Sequence, residues 1–420
     1  MLYLIYGYLA LFIMRPFENW TFLGAMHIER TYGILMLATL LLSRHKRSIR
    51  CPQTTAVLVF LGSLGISSVF SYRFALAAPA FYNYCTLVAF YVVILATIKN
   101  ETQLRSFAIA YLCVMAAYQL LSLREYLLFG RGSWSAGMWR MRGLDDTFGH
   151  PNSVAASIVY SMPFAFGLLR SGVRKPMAPA IAAYSILSLT CILLTGSRSG
   201  FIGFLVLCLM QVLSLRGKRR LFVATAIFAV FLLGWYLVPS EKHARMRTLL
   251  GEHMNSGEQE SASDRVRGAG FFTGVRMFRQ RPLLGVGYGC FAAYAQEQLG
   301  ERALDSHNLY GEVLGATGTL GLLSFTFLIV VAFKNALFVR KQVRTGIIRQ
   351  DSPAAWVSGA ALFMLLLLLV EGWASHNLGR YNWLWAGAIG ALASNFVLHK
   401  ESSKEREPHG TPAECPRHFT

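Results

Sequence analysis

At 420 residues, with 54% hydrophobic and only 15% charged positions and a mean hydropathy of +0.43, the chain falls outside the range of ordinary soluble domains and inside that of polytopic membrane proteins. A formal net charge of +19 does not indicate nucleic acid, because the basic residues are dispersed between apolar runs and form no single face; anionic membrane lipids are the expected partner. The seven cysteines, Cys51, Cys85, Cys113, Cys191, Cys208, Cys290 and Cys415, contain no CxxC pair and lie mainly in or beside apolar runs. They support neither a disulfide framework nor a metal site, and no cofactor is expected.

The first run, Leu2 to Met14, lacks a basic n-region and a small-residue cleavage site, so it reads as a retained span and not as a signal peptide. A helix needs about 20 apolar residues to cross the hydrocarbon, and runs of that kind recur roughly twelve times. The predicted spans are 1–14, 23–43, 54–72, 80–98, 104–128, 152–169, 177–196, 200–215, 221–238, 308–332, 354–373 and 381–398. The expected fold is all-α and integral to the membrane: one polytopic domain over 1–398 with a large outer loop of interfacial helices over 238–307, then a polar, disordered cytoplasmic tail over 399–420.

Orientation follows from the basic residues of the short loops. With both ends cytoplasmic, the inner segments collect Arg44, Lys46, Arg47 and Arg50, then Arg170, Arg174 and Lys175, then Arg216, Lys218, Arg219 and Arg220, then Lys334, Arg340, Lys341, Arg344 and Arg349. This topology puts Arg198, the long loop, His307 and His376 on one outer side. Charges at the rim of a hydrocarbon slab are costly unless they hold an anion or do chemistry, so their clustering points to an enzyme acting on a lipid-linked phosphate.

Three outer segments stand apart from plain connectors. Residues 130–151 carry aromatics, Asp145, Asp146 and His150, and the His150-Pro-Asn152 turn leads into the sixth span with Asn152 as its expected cap. Thr195-Gly-Ser-Arg-Ser-Gly200 joins two spans with no true loop, so backbone N–H groups, Ser197 and the Arg198 guanidinium share a volume suited to phosphate oxygens; an arginine snorkelling to headgroups accounts for Arg198 equally. The stretch 239–306 begins hydrophilic, becomes amphipathic over 265–281 and ends in Pro282-Leu-Leu-Gly-Val-Gly-Tyr-Gly289, the pattern of an interfacial helix followed by a tight glycine turn.

On that helix Arg276, Arg279 and Arg281 read as lipid-facing charges, whereas one of Arg265 or Arg267 is the better specific phosphate contact; Arg267 and Phe271 form an i, i+4 pair. His307 sits in Asp305-Ser-His-Asn-Leu-Tyr-Gly-Glu312 where a long apolar run begins. Ser306 or Asn308 capping the helix would explain the motif blandly; an imidazole near arginines at a membrane rim is also a suitable general base, with Asp305 or Glu312 to orient it. A second Ser-His-Asn at 375–377, containing His376, is read as a polar turn or an acceptor contact. Gly315-Ala-Thr-Gly-Thr-Leu-Gly321 reads as small-residue helix packing inside the tenth span, not as a nucleotide loop, because no strand precedes it.

Taken together, Thr-Gly-Ser-Arg-Ser-Gly at 195–200, Arg267-x-x-x-Phe271 with Met277-Phe278 and the 282–289 turn, and Ser-His-Asn-Leu-Tyr at 306–310 with Gly318-Thr-Leu-Gly321 resemble the bacterial O-antigen ligase/polymerase family. Thr147-Phe-Gly-His-Pro-Asn152 is similar to a turn that many members carry. The resemblance implies a C-type membrane glycosyltransferase of the bacterial inner membrane whose active face, with the 238–307 loop, is periplasmic. It implies a donor glycan on undecaprenyl pyrophosphate, no metal, and inversion at the anomeric centre. Carried over, Arg198 and Arg267 hold the pyrophosphate and His307 serves the acceptor, with Arg265, Asn308, Ser197, His150, Asn152 and His376 as further contacts. The family's loop motif usually has Trp where Phe271 stands, and Arg265 offers a competing register. Ligation to a lipid A-core acceptor, polymerisation onto a glycan and transfer to protein share these motifs. The competing class is a transporter or flippase of a lipid-linked saccharide, which would place charges along a midplane pathway.

Overall fold

A computed structural model describes residues 1–43, 49–135, 137–146, 149–172, 177–215, 217–236, 257–301, 305–375 and 377–406. The elements in chain order are α1 (Leu2–Met14), α2 (Pro16–Asn19), α3 (Thr21–Ala25), α4 (Ile28–Leu42), α5 (Pro52–Val69), α6 (Phe74–Thr97), α7 (Glu101–Phe129), β1 (Gly132–Ser135), β2 (Met138–Met141), α8 (Pro151–Arg170), α9 (Met177–Leu194), α10 (Arg198–Leu213), α11 (Gly217–Tyr236), α12 (Gly257–Gln280), α13 (Phe291–Leu299), α14 (Leu309–Glu312), a π-helical turn (Val313–Thr317), α15 (Gly318–Arg344), α16 (Pro353–Gly372) and α17 (Tyr381–Arg406). Seven helical stretches among the described residues are long and apolar enough to cross a membrane, namely α5 to α9, the stretch Leu309–Arg344 and α16; α1, α10 and Val223–Leu233 are shorter apolar segments.

Helices α15, α16 and α17 pack against one another at the centre, with α8 on α16, α5 on α15 and α10 on α8 and α16. Trp385 of α17 anchors the aromatic part of the core. Its ring centroid lies 6.0 Å from Phe12, 5.5 Å from Phe90, 6.1 Å from Phe107, 5.6 Å from Tyr111 and 4.4 Å from Tyr381, so one indole ties α1, α6 and α7 to α17. A smaller apolar cluster of Ala77, Met277, Val286, Cys290, Phe291, Tyr294 and Ala295 fastens the end of α12 to the start of α6.

Four local departures from the sequence reading have physical causes. The expected 23–43 span divides at His27, whose backbone is left-handed (φ 48°) and which caps α4. Helix α6 begins at Phe74 although Pro79 lies inside it, because the glycine turn holds its start: Tyr72 N donates to the Val286 carbonyl at 2.8 Å and Cys290 Sγ to the Arg73 carbonyl at 3.3 Å. The segment 130–141 forms an antiparallel hairpin, with Ser133 opposite Arg140 and Trp134 opposite Trp139. Helix α17 continues to Arg406, inside the segment expected to be a disordered tail; 407–420 lie outside the described residues.

The tenth span also breaks, at the small residues expected to pack helix on helix. In the π turn the carbonyls of Gly315 and Ala316 accept hydrogen bonds from Val286 N (2.9 Å) and Gly287 N (3.0 Å) of the glycine turn. Gly318 then takes φ 63° to restart the helix. The close approach is real, but its partners are the 282–289 turn and α12: a Cβ on Gly318 would stand 2.5 Å from Gly285 N, and one on Gly274 would stand 2.1 Å from the Gly311 carbonyl oxygen.

Candidate active site

At one end of the bundle, α9 runs into α10 through Thr195-Gly196-Ser197. Gly196 supplies the left-handed step (φ 58°), and Ser197 caps α10 by accepting from Gly200 N at 3.2 Å. Arg198 opens the helix and is buried, at 8% exposure. Small residues let α10 press close: a Cβ on Gly200 would meet the Ala155 methyl at 2.4 Å, and one on Gly203 would meet Glu371 Oε1 at 2.0 Å.

Arg140, unremarked in the sequence, fixes this turn from outside. Its strand places it in the interior, where Nε donates to the Thr195 carbonyl at 2.6 Å, Nη2 to Asn152 Oδ1 at 2.6 Å and Nη1 to Ser135 Oγ at 3.1 Å. One planar guanidinium therefore joins the hairpin, the 195–198 turn and the start of α8. The cap of α8 differs from expectation: His150 holds the cap position, with Nδ1 accepting from Asn152 N at 3.3 Å, and Asn152 is free to serve Arg140. The only signal of this arrangement in the sequence was the alternation of Ser-Trp-Ser and Met-Trp-Arg-Met around Gly137, which is that of a short hairpin.

His150 stands in a field of positive charge. Partial burial, then Arg140, His307, Arg142 and Arg380, push its imidazole down from the ordinary 6.5 to about 4, so it is neutral at physiological pH. The same field brings His150 and His307, distant in sequence, into one electrostatic neighbourhood. Arg380, a second residue that the sequence reading passed over, donates to Ser157 Oγ of α8 at 3.3 Å.

The His307 turn is built differently. Asn308 is fully buried and caps α14, accepting from Gly311 N at 3.0 Å and donating to the Trp373 carbonyl at 3.1 Å. Ser306 Oγ receives Asn308 N at 3.3 Å and donates to the Asn308 carbonyl at 2.9 Å. Between these two fixed residues His307 adopts φ 45°, a left-handed backbone that non-glycine residues seldom take and that the surrounding bonds must hold. Helix α12 lies directly on the turn: a Cβ on Gly270 would sit 1.7 Å from the Ser306 carbonyl oxygen, and the Phe271 ring packs tilted against Trp373, centroids 5.8 Å apart.

Positions 265 and 267 precede Gly270 on the same helix, within about two turns of the His307 backbone; their side chains, like His376, Thr147 and Phe148, lie outside the described residues. On α12 Arg276 pairs with Glu301, and just past its end Arg281 lies 5.9 Å over the Tyr294 ring. Asp145 and Asp146 are similarly engaged, Asp145 accepting from Tyr118 Oη at 2.8 Å and Asp146 pairing with Arg142.

Three chain segments thus meet at this end of the bundle: the 195–198 turn, the start of α8 with its hairpin, and the 306–308 turn under α12. A comparison with the curated proteins finds no match. Residues 183–326, which take in the 195–200 turn, α12 and the 306–310 segment, match the family model described as O-antigen ligase. Over that stretch the chain is similar to the O-antigen ligases, membrane enzymes of the glycosyltransferase kind, and its seven helical stretches long and apolar enough to cross a membrane agree with that likeness.

Proposed function

We propose that the chain transfers a glycan from undecaprenyl pyrophosphate to a hydroxyl acceptor at the periplasmic face of the inner membrane, without a metal ion and with inversion. Arg198, at the positive end of α10, and Arg267 on α12 hold the pyrophosphate, with Ser197 completing the turn. His307 accepts the proton of the acceptor hydroxyl as its oxygen attacks the anomeric carbon. The anomeric C–O bond to phosphate breaks, and the leaving pyrophosphate carries the bonding electrons as charge that the guanidiniums stabilise. What supports this reading is the joining of the 195–198 turn and the start of α8 by Arg140, the contact of Gly270 with Ser306, and the His307 charge felt at His150, which links the two groups. The left-handed backbone at His307 supports it as well, since held strain clusters at reactive positions.

The test uses purified full-length protein, an undecaprenyl-pyrophosphate glycan and separate lipid A-core, glycan and protein acceptors in the presence of EDTA. Transfer is expected to persist in EDTA and to fall by about 10²–10³ in Arg198→Ala and Arg267→Ala. A requirement for a divalent ion, or undiminished transfer by Arg198→Ala, contradicts the proposal. Loss in Arg265→Ala with none in Arg267→Ala moves the loop contact to Arg265.

A further inference from the structure

The opposite end of the bundle holds a second, unassigned site. Helix α8 runs twenty residues from Pro151 to Arg170, about 30 Å, so whatever gathers at Arg170 is remote from His307. Two adjoining cavities open there. One, of about 890 Å³, lies among α8, α9, α10 and α11 and is walled chiefly by apolar side chains such as Met162, Phe166, Ile181, Phe204 and Ile227. The other, of about 640 Å³, lies among α8, α15 and α16 and carries Arg340, Arg344, Trp356 and Ser358. Both fall in the size range of small-molecule sites.

Arg170, Gln211 and Gln350 line both cavities, and Arg170 is held at their junction by donating to the Gln211 carbonyl at 3.3 Å and to Ser214 Oγ at 2.5 Å. On the polar side two buried donors lack a protein partner: Trp356 Nε1 and Ser358 Oγ, in residues only 5% and 1% exposed.

We propose that the two cavities together bind one anionic glycerophospholipid, its phosphate against Arg170, Arg340 and Arg344 and an acyl chain in the apolar cavity. The division of the space matches the division of the molecule. Guanidinium forks suit phosphate oxygens, and the apolar half excludes a free nucleotide or inorganic phosphate. The site is independent of the transfer chemistry at the other end.

Full-length protein in detergent is irradiated with a phosphatidylglycerol bearing a diazirine on one acyl chain, and the adducts are mapped by mass spectrometry. Adducts are expected at Phe166, Ile181 and Phe204, with yield reduced at least about tenfold in Arg340→Gln/Arg344→Gln, as loss of charge-assisted hydrogen bonds implies. Both arginines are exposed, so that variant keeps its fold; Cys208→Phe, which fills the apolar cavity, is expected to give the same loss. Adducts spread evenly over lipid-facing helices, or a yield unchanged in both variants, overturn the proposal. Equal labelling by the phosphatidylcholine analogue overturns the anionic assignment.

Discussion

The two turns that carry Arg198 and His307 share one device and differ in how they are held. Each sits at a helix start beside a capping side chain, Ser197 for α10 and Asn308 for α14. The 195–198 turn is fixed by side chains: Arg140 reaches it from a hairpin and clamps its carbonyl. The 306–308 turn, which Asn308 ties to the Trp373 carbonyl, also bears a backbone contact, with α12 pressed onto it at glycines that leave no room for a Cβ. The first is therefore rigid irrespective of the outer loop, and the second depends on the docking of α12. Substrate-dependent motion of that loop would reach His307 and spare Arg198.

Substitutions that break or sharpen this contrast are expected to rank as follows. His307→Ala lowers transfer by about 10²–10⁴ with the fold intact, as removal of a general base does; steady-state transfer rates together with an unchanged unfolding temperature check it. Gly270→Val forces α12 off Ser306 and lowers transfer by about 10² through misplacement of His307, while leaving binding of the donor at the Arg198 turn measurable. Equal loss of donor binding in that variant would erase the distinction between the turns. Arg140→Met leaves the Thr195 carbonyl and Asn152 Oδ1 without their donor and costs about 1–3 kcal/mol, read as a lowered midpoint in denaturant. His150→Gln has the smallest effect. Because the folded imidazole titrates near 4 and the free one near 6.5, the stability that depends on neutral His150 is full above pH 6.5 and is lost as pH falls toward 4. Wild type should therefore lose thermal stability more steeply than His150→Gln over that window.

Much of the bundle was legible in hydropathy alone. The expected spans 152–169, 177–196 and 200–215 correspond to Pro151–Arg170, Met177–Leu194 and Arg198–Leu213, because apolar length and basic flanks are local properties. The glycine turn was legible for the same reason, and Gly285, Gly287 and Gly289 all have positive φ. The π turn at 313–317 was not, since it depends on loop N–H groups arriving from some thirty residues earlier. Arg140 ties the 195–198 turn to Asn152, and His150 lies in the field of His307. Arg140 and Arg380 were given no role from the sequence because each acts through partners remote in sequence, and a lone arginine carries no local mark of such a role.

The most direct measurement is a double-mutant cycle on transfer by Arg198→Ala and His307→Ala. If the guanidinium and the imidazole act in one site on one displacement, the double variant falls little below the weaker single, as groups working as a unit do. If the two losses multiply in full, the turns serve separate events and the shared site is contradicted.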